Sequence, residues 1–227
     1  AAVGLYSSLS CAVELRRDSS PLPRKPQLAP ATRSILYRFA GLISLDAFGG
    51  GFLSDALVAY WFFRRFGVEE ASLGLLFFSV RVLNALSHLA AAGLARRIGL
   101  LHTMVLTHLP SSLFLIAVPF APSLRVAILL FLCREALVEM DVPTRQSYLA
   151  AVVRPEERTF ASGIANLSRN AFWALGSLFA GAVMQGLAFS APLIFGGGAK
   201  IVYDLLLFKA FRRIKPPEER RPGSSEV

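Results

Sequence analysis

Residues 134–148 read REALVEMDVPTRQSY, and they place Arg134, Glu135, Glu139, Asp141 and Arg145 directly behind the apolar run VAILLFLC. Carboxylates and guanidinium groups at this spacing can exchange protons, receive a charged solute or neutralise one another. The solvent decides among these roles. In water such a stretch is an ordinary solvated helix face, whereas inside a bilayer each charge is costly unless it is paired or wetted.

Helical phase sorts these groups, because residues three, four and seven apart share a face. Arg134, Asp141, Arg145 and Tyr148 form one stripe, and Glu135 with Glu139 form a second. Further along, Ser162, Asn166, Arg169 and Trp173 align, and so do Arg81, Asn84 and His88. Asp46 lies within another apolar stretch, followed at once by Gly49, Gly50 and Gly51. The three glycines weaken a helix, which predicts either a bend or close backbone approach to a ligand, or else tight packing through small residues.

Other reactive patterns are missing. There is no HExxH, GxSxG, GxxxxGK[ST] or GxGxxG, and the cysteines, Cys11 and Cys133, have no metal-ligand or disulfide-framework spacing. No enzymatic chemistry, metal or cofactor is therefore expected.

Composition identifies the solvent. The 227 residues are 54% hydrophobic and 17% charged, with a mean hydropathy of +0.53, while soluble domains average about 25% charged residues. Six apolar stretches recur, at about 35–63, 71–92, 103–121, 124–152, 159–186 and 190–211, each long enough for a hydrocarbon core about 30 Å thick. Short punctuated links such as RRFGVEE and RPEER separate them. The fold class expected is all-α, an integral membrane six-helix bundle over residues 35–211. Residues 1–34 read as the end of a preceding transmembrane helix and a polar, Pro-rich cytoplasmic linker, and residues 212–227 as a basic cytoplasmic tail.

The net charge of +9 lacks any basic and aromatic recognition module, so nucleic acid is not an expected partner. The charge reads instead as a topology signal. With the linker cytoplasmic, sixteen of the 24 Lys and Arg residues fall on that side, and only Arg64, Arg65 and Arg125 on the other. Both described chain ends then lie inside. Counting about 1.5 Å per residue from each span end places Asp46, Arg81, Glu135 and Arg169 at one depth near the bilayer midplane, roughly 15–17 Å in. Four ionisable groups at one level imply a shared polar cavity or a tightly paired network.

The remaining features have plainer expectations. Lys200 and Asp204 are one turn apart and read as a pair within their own helix. His88 and His102 read as interfacial, FGGGAK in the last span as a packing motif, and the third span as a lipid-facing helix without charge.

Two motifs carry a resemblance. AGLARRIGLLH is similar to the signature loop between the second and third helices of each half of major facilitator superfamily transporters, a small-x-[LA]-[AS]-Asp-[RK]-x-Gly-[RK] pattern. Ala92, Leu94, Ala95, Arg97 and Gly99 match it, while Arg96 stands in place of the acid and Leu100 in place of the final base. MDVPTRQSYLAAVVRPEERTFASGIANLSRN resembles many bacterial members of that family, and the likeness covers about 180 residues. The resemblance implies the carboxyl-terminal six-helix half of a twelve-helix fold, in a bacterial inner membrane, with a midplane cavity facing a second six-helix half.

It also implies a secondary active transporter that moves a small molecule by alternating access, coupled to a proton or another ion. The first, second, fourth and fifth spans are expected to line the cavity. Asp46, Glu135 and Glu139 are the proton-coupling candidates, because a carboxyl that gains and loses a cationic neighbour releases and binds a proton. Arg81, Asn84, Asn166, Arg169 and Trp173 are the substrate-binding candidates, with Arg81 and Arg169 alternatively the cationic partners of those acids, and Arg134, Asp141, Arg145, Arg97 and Gly99 the cytoplasmic gate. A second reading is a non-transporting membrane sensor or assembly subunit, whose buried charges hold helices together. The sidedness is open to a direct check. In a protein lacking Cys11 and Cys133, a cysteine placed at Glu156 should react with a membrane-impermeant thiol reagent only from the cytoplasmic side, and one placed at Gly67 only from the outer side. Reaction from the same side would overturn the topology.

Overall fold

The structure, a computed structural model, describes residues 30–212, and the expectations for the N-terminal linker, the basic tail and Cys11 lie outside them. Eight α-helices fill this range: α1 Pro30–Gly51, α2 Asp55–Phe66, α3 Glu70–Ile98, α4 Leu100–Ala117, α5 Leu124–Val138, α6 Asp141–Val152, α7 Arg158–Gly186 and α8 Ala191–Phe211. Short 3-10 turns, Val118–Phe120 and Pro155–Glu157, extend α4 and precede α7. No strand occurs among the described residues.

The eight helices make six rods, because two of the expected spans are broken. The first breaks between α1 and α2 directly after Gly49–Gly51, where Phe52 and Leu53 donate back to Gly49 and Gly50 carbonyls in single turns. The fourth breaks between Val138 and Asp141. Pro143 accounts for that break: it lacks an N–H, and its ring would collide with the carbonyl of Glu139 in a continuous helix.

Other ends follow ordinary chemistry. Asp55 opens α2 and Arg64 with Arg65 close it, complementing the helix dipole, and Gly67 at φ 67° caps it with its N–H on the Phe63 carbonyl. Gly99, also at positive φ, turns the chain from α3 into α4.

Four stretches are long and apolar enough to cross a membrane by length and composition: Thr32–Phe66, Glu70–Ile98, Leu100–Phe120 and Ala191–Phe211. The other two expected spans fall short of that measure. α5 and α6 have only 15 and 12 residues, and α7 is diluted by Ser, Asn, Gly and Arg.

Packing corrects one expectation. The third span is no lipid-facing rod: α4 buries Leu101, Thr103, Met104, Val105, Thr107, His108, Ser111, Ser112 and Leu115 and packs against α8, α5 and α6. Its hydroxyls make this possible by satisfying themselves on the preceding turn. Thr107 Oγ1 donates to the Thr103 carbonyl at 2.8 Å and Ser112 Oγ to the His108 carbonyl at 3.0 Å, so a seam of small polar residues can be buried without orphan donors.

Two apolar cores form at opposite ends of the rods. One gathers Leu36, Phe39, Ile43, Met104, Tyr148, Tyr203, Leu207 and Phe211; the other gathers Val58, Trp61, Phe62, Val80, Leu115, Phe131 and Leu193.

The glycine runs do two jobs. α1 packs most extensively along α7, and a Cβ on Gly51 would overlap the backbone of Trp173, Gly176 and Ser177. A Cβ on Gly49 would meet Ala199 Cβ at 2.9 Å and the Gly196 carbonyl at 3.0 Å. Backbone contact with two neighbours therefore coincides with the helix break. In the last span, Gly196 and Gly197 pack against Leu53 and Ile116, the role expected of that run. Gly176→Ala should cost about 3 kcal/mol or more, because its Cβ would collide with the Phe48 carbonyl and backbone cannot yield as a side chain does. Gly181→Ala, whose Cβ would meet nothing within 4 Å, should leave the melting temperature of the purified protein unchanged.

Candidate functional site

Between the two apolar cores, each of four rods contributes ionisable groups to one buried layer. α1 supplies Asp46, α4 supplies His108, α6 supplies Asp141 and Arg145, and α8 supplies Lys200 and Asp204; all six are buried. Along these rods Asp46, His108, Asp141 with Arg145, and Lys200 each fall between residues of one apolar core and residues of the other, and Asp204 lies one turn beyond Lys200, beside Tyr203 of the first core.

Asp46 is the hub of this layer. Lys200 Nζ donates to its Oδ1 at 2.6 Å, and Arg145 Nη1 donates to its Oδ2 at 3.3 Å. His108 Nε2 lies 3.6 Å from the same Oδ1. On its other edge His108 contacts Asp204, with Nδ1 2.9 and 3.1 Å from the two carboxylate oxygens. Arg145 also reaches Asp141 one turn back, at 3.0 Å. Tyr203, fully buried, lies against Arg145 and lacks a well-formed hydrogen bond at its hydroxyl.

This geometry redraws several expected pairings. Lys200 and Asp204 do not pair with each other; one turn apart on α8, they reach different partners, Asp46 and His108. Asp46 is held by Lys200 and Arg145, not by Arg81 or Arg169. The four groups expected at one depth therefore do not form a single paired set.

Arg81 pairs with Asp55 at the start of α2, both side chains about 60% exposed, where a pair contributes little stability. Buried Glu135 pairs with its neighbour Arg134, which also lies over the Phe131 ring. Glu139 meets His88 at 3.3 Å. Asn84, with its amide oriented to suit its neighbours, donates to the Val80 and Glu135 carbonyls, and Ser87 donates to the Ala136 carbonyl. The Arg81–Asn84–His88 stripe thus ties α3 to α2 and α5.

A cleft of about 500 Å³ opens between α1, α6 and α7. Its walls include Phe39, Ile43, Glu139, Arg145, Gln146, Ser162, Asn166 and Arg169. First, fourth and fifth spans line it as expected, and the second contributes none of these residues. Arg169 is exposed there, and no carboxylate pairs with it among the described residues. Trp173 lies one turn further along α7, beside Gly50. Arg97 is exposed at the end of α3, next to the positive-φ Gly99.

Arg145 joins the two features: it lines the cleft and donates to Asp46. Asp46, His108 and Asp141 each bring a ligand-type atom within 4.8 Å of the others. Lys200 and Arg145 already engage both carboxylate oxygens of Asp46, which leaves it a poor metal ligand.

The sequence reading did not select His108 or Asp55, and it assigned Lys200 and Asp204 to each other instead of to Asp46 and His108. His108 had a visible signal, the Thr103, Thr107, Ser111 and Ser112 hydroxyls around it at helical spacing. Lys200 and Asp204 had none, since their i, i+4 spacing is fully explained by a mutual pair.

Known proteins supply an independent comparison. The family model described as Major Facilitator Superfamily matches residues 39–227. An uncharacterized membrane protein of Saccharomyces cerevisiae is 27% identical over 194 residues, which is 85% of this chain and 43% of that protein. The chain thus spans less than half the length of that relative.

The hub makes a quantitative prediction. Lys200→Met leaves Asp46 buried with one cation removed and should destabilise the purified protein by about 3–5 kcal/mol, while Lys200→Met with Asp46→Asn should recover most of the loss. Equal losses in single and double variants, read by thermal unfolding in detergent, would remove Asp46 from the centre of the network.

Proposed function

The chain belongs to the Major Facilitator Superfamily, and on that premise we propose that it forms one six-helix half of a secondary active transporter. All six rods cross the bilayer, with the basic loops and both described ends cytoplasmic, and the cleft faces a second six-helix half. A small molecule carrying an anionic group binds there, and its passage by alternating access is coupled to a proton.

One observation carries this reading. Arg145 stands in the cleft wall and at the same time holds Asp46 in the buried layer. An anionic group entering the cleft competes with Asp46 for the guanidinium, so occupancy of the cleft alters the charge balance of a layer inaccessible to the solute. A ligand shifts a conformational equilibrium only through such differential contact. Arg169, without a carboxylate partner among the described residues, is the first receptor for the anion. Asn166, Gln146 and Ser162 supply hydrogen bonds around it.

The break between α1 and α2 supplies a point of movement. Asp46 lies one turn before Gly49–Gly51, so a change in the angle of α1 carries the carboxylate with it. Asp141 and Arg145 then serve as both gate and sensor. Glu135, held by Arg134, sits outside the cleft wall and keeps a structural role, while Glu139 lines the cleft and is the second acid able to follow the solute.

The test uses the full-length protein in proteoliposomes containing a pH-sensitive dye, challenged with a panel of small carboxylates and phosphates. At least one solute should move protons. Arg169→Gln should raise its KM about tenfold or more with the protein still assembled, consistent with losing about 1.4 kcal/mol of binding. Asp46→Asn should uncouple proton movement from solute movement. If no anionic solute moves protons, or if Arg169→Gln leaves transport unchanged, the reading fails; loss of assembly in both variants favours the structural alternative.

A further inference from the structure

We propose that His108 and Asp204 hold one exchangeable proton, which completes the charge of the buried layer. The layer contains three carboxylates, Asp46, Asp141 and Asp204, against two fixed cations, Lys200 and Arg145. That count is one positive charge short. A net charge buried between two apolar cores is far costlier than a balanced set.

His108 is the group placed to make up the difference. An ionised Asp204 only accepts, so the hydrogen between them sits on Nδ1. The Nε2 edge faces Asp46 Oδ1 at 3.6 Å and Lys200 Nζ at 3.5 Å. With Nε2 bare, the imidazole accepts from Lys200 and the layer keeps a net negative charge. With Nε2 protonated, the ring donates toward Asp46, and three cations face three anions.

The helices around α4 bring no further free cation to the layer among the described residues. α1 presents Asp46; α6 presents Asp141 and Arg145; α8 presents Lys200, Tyr203 and Asp204. On α5, Arg134 and Glu135 neutralise each other, and on α3, Arg81 and His88 are engaged by Asp55 and Glu139. Tyr203 adds no charge in its neutral form.

The same count gives the proton a condition for release. The proton enters from water, breaking an O–H bond of hydronium and forming Nε2–H. If α1 pivots at its glycine break and withdraws Asp46, two carboxylates face three cations, and loss of the Nε2 proton restores balance. This release step rests on the transporter reading above; the bound proton does not.

The experiment reads the ring directly. Full-length protein labelled with ¹⁵N-histidine is placed in liposomes, and solid-state NMR identifies the His108 signals as those absent from His108→Gln. At about pH 7, where an unperturbed imidazole is mostly neutral, both His108 nitrogens should carry protons. Asp204→Asn and Asp46→Asn each leave two anions against two cations, so either should return a neutral ring with one bare nitrogen. A bare nitrogen in the unaltered protein overturns the proposal, as does a doubly protonated ring that persists in both variants. Should either variant fail to assemble, the unaltered protein decides the matter alone. Solute flux does not enter the readout, so the transporter reading can fail while this one stands.

Discussion

Everything in the bundle is arranged around a carboxylate that has no water to turn to. Asp46 is buried between two apolar cores, and a charge in that position persists only with compensating partners. Lys200 and Arg145 provide them from two other rods. Their presence fixes the relative register of α1, α6 and α8, because a shift of one helical turn, about 5.4 Å, would separate the groups. The apolar cores on either side exclude water, which makes the contacts strong and makes any imbalance among them costly.

Close backbone approach is the second requirement. An ammonium and a carboxylate on adjacent helices meet at 2.6 Å only if the helices lie near each other, and the Gly49 to Gly196 contact gives that proximity one turn from the ion pair. The same glycines lower the cost of breaking the helix. The buried ion pair thus sits beside the break between α1 and α2. Arg145 extends the layer to the cleft, and in the function proposed above this contact lets a solute in the cleft alter the surroundings of Asp46.

The membrane bundle, its all-α class and the family were legible in the sequence, because apolar runs of span length and a two-motif resemblance are strong signals. A break at Gly49–Gly51 was one of the alternatives that the glycine run left open. The break before Pro143 was readable from proline chemistry yet obscured by the apolar continuity of the fourth span. Depth selected Asp46 and helical phase selected Asp141 and Arg145, but neither identified Lys200 and Arg145 as the partners of Asp46. Depth along a helix says nothing about which neighbour a residue faces; that depends on packing order, and α4 and α8 turned out to be central. His108 escaped notice because a span without full charges was taken to face lipid. A histidine amid regularly spaced hydroxyls is a buried seam, and that pattern carries the missing information.

The most direct test is an experimental density map of the full-length protein in lipid nanodiscs, at a resolution that shows side chains. Lys200 Nζ should lie within about 4 Å of the Asp46 carboxylate in at least one conformational state, the range of an ion pair, with His108 between Asp46 and Asp204. A Lys200 side chain directed to lipid, or an Asp46 facing open water in every state observed, would contradict the account.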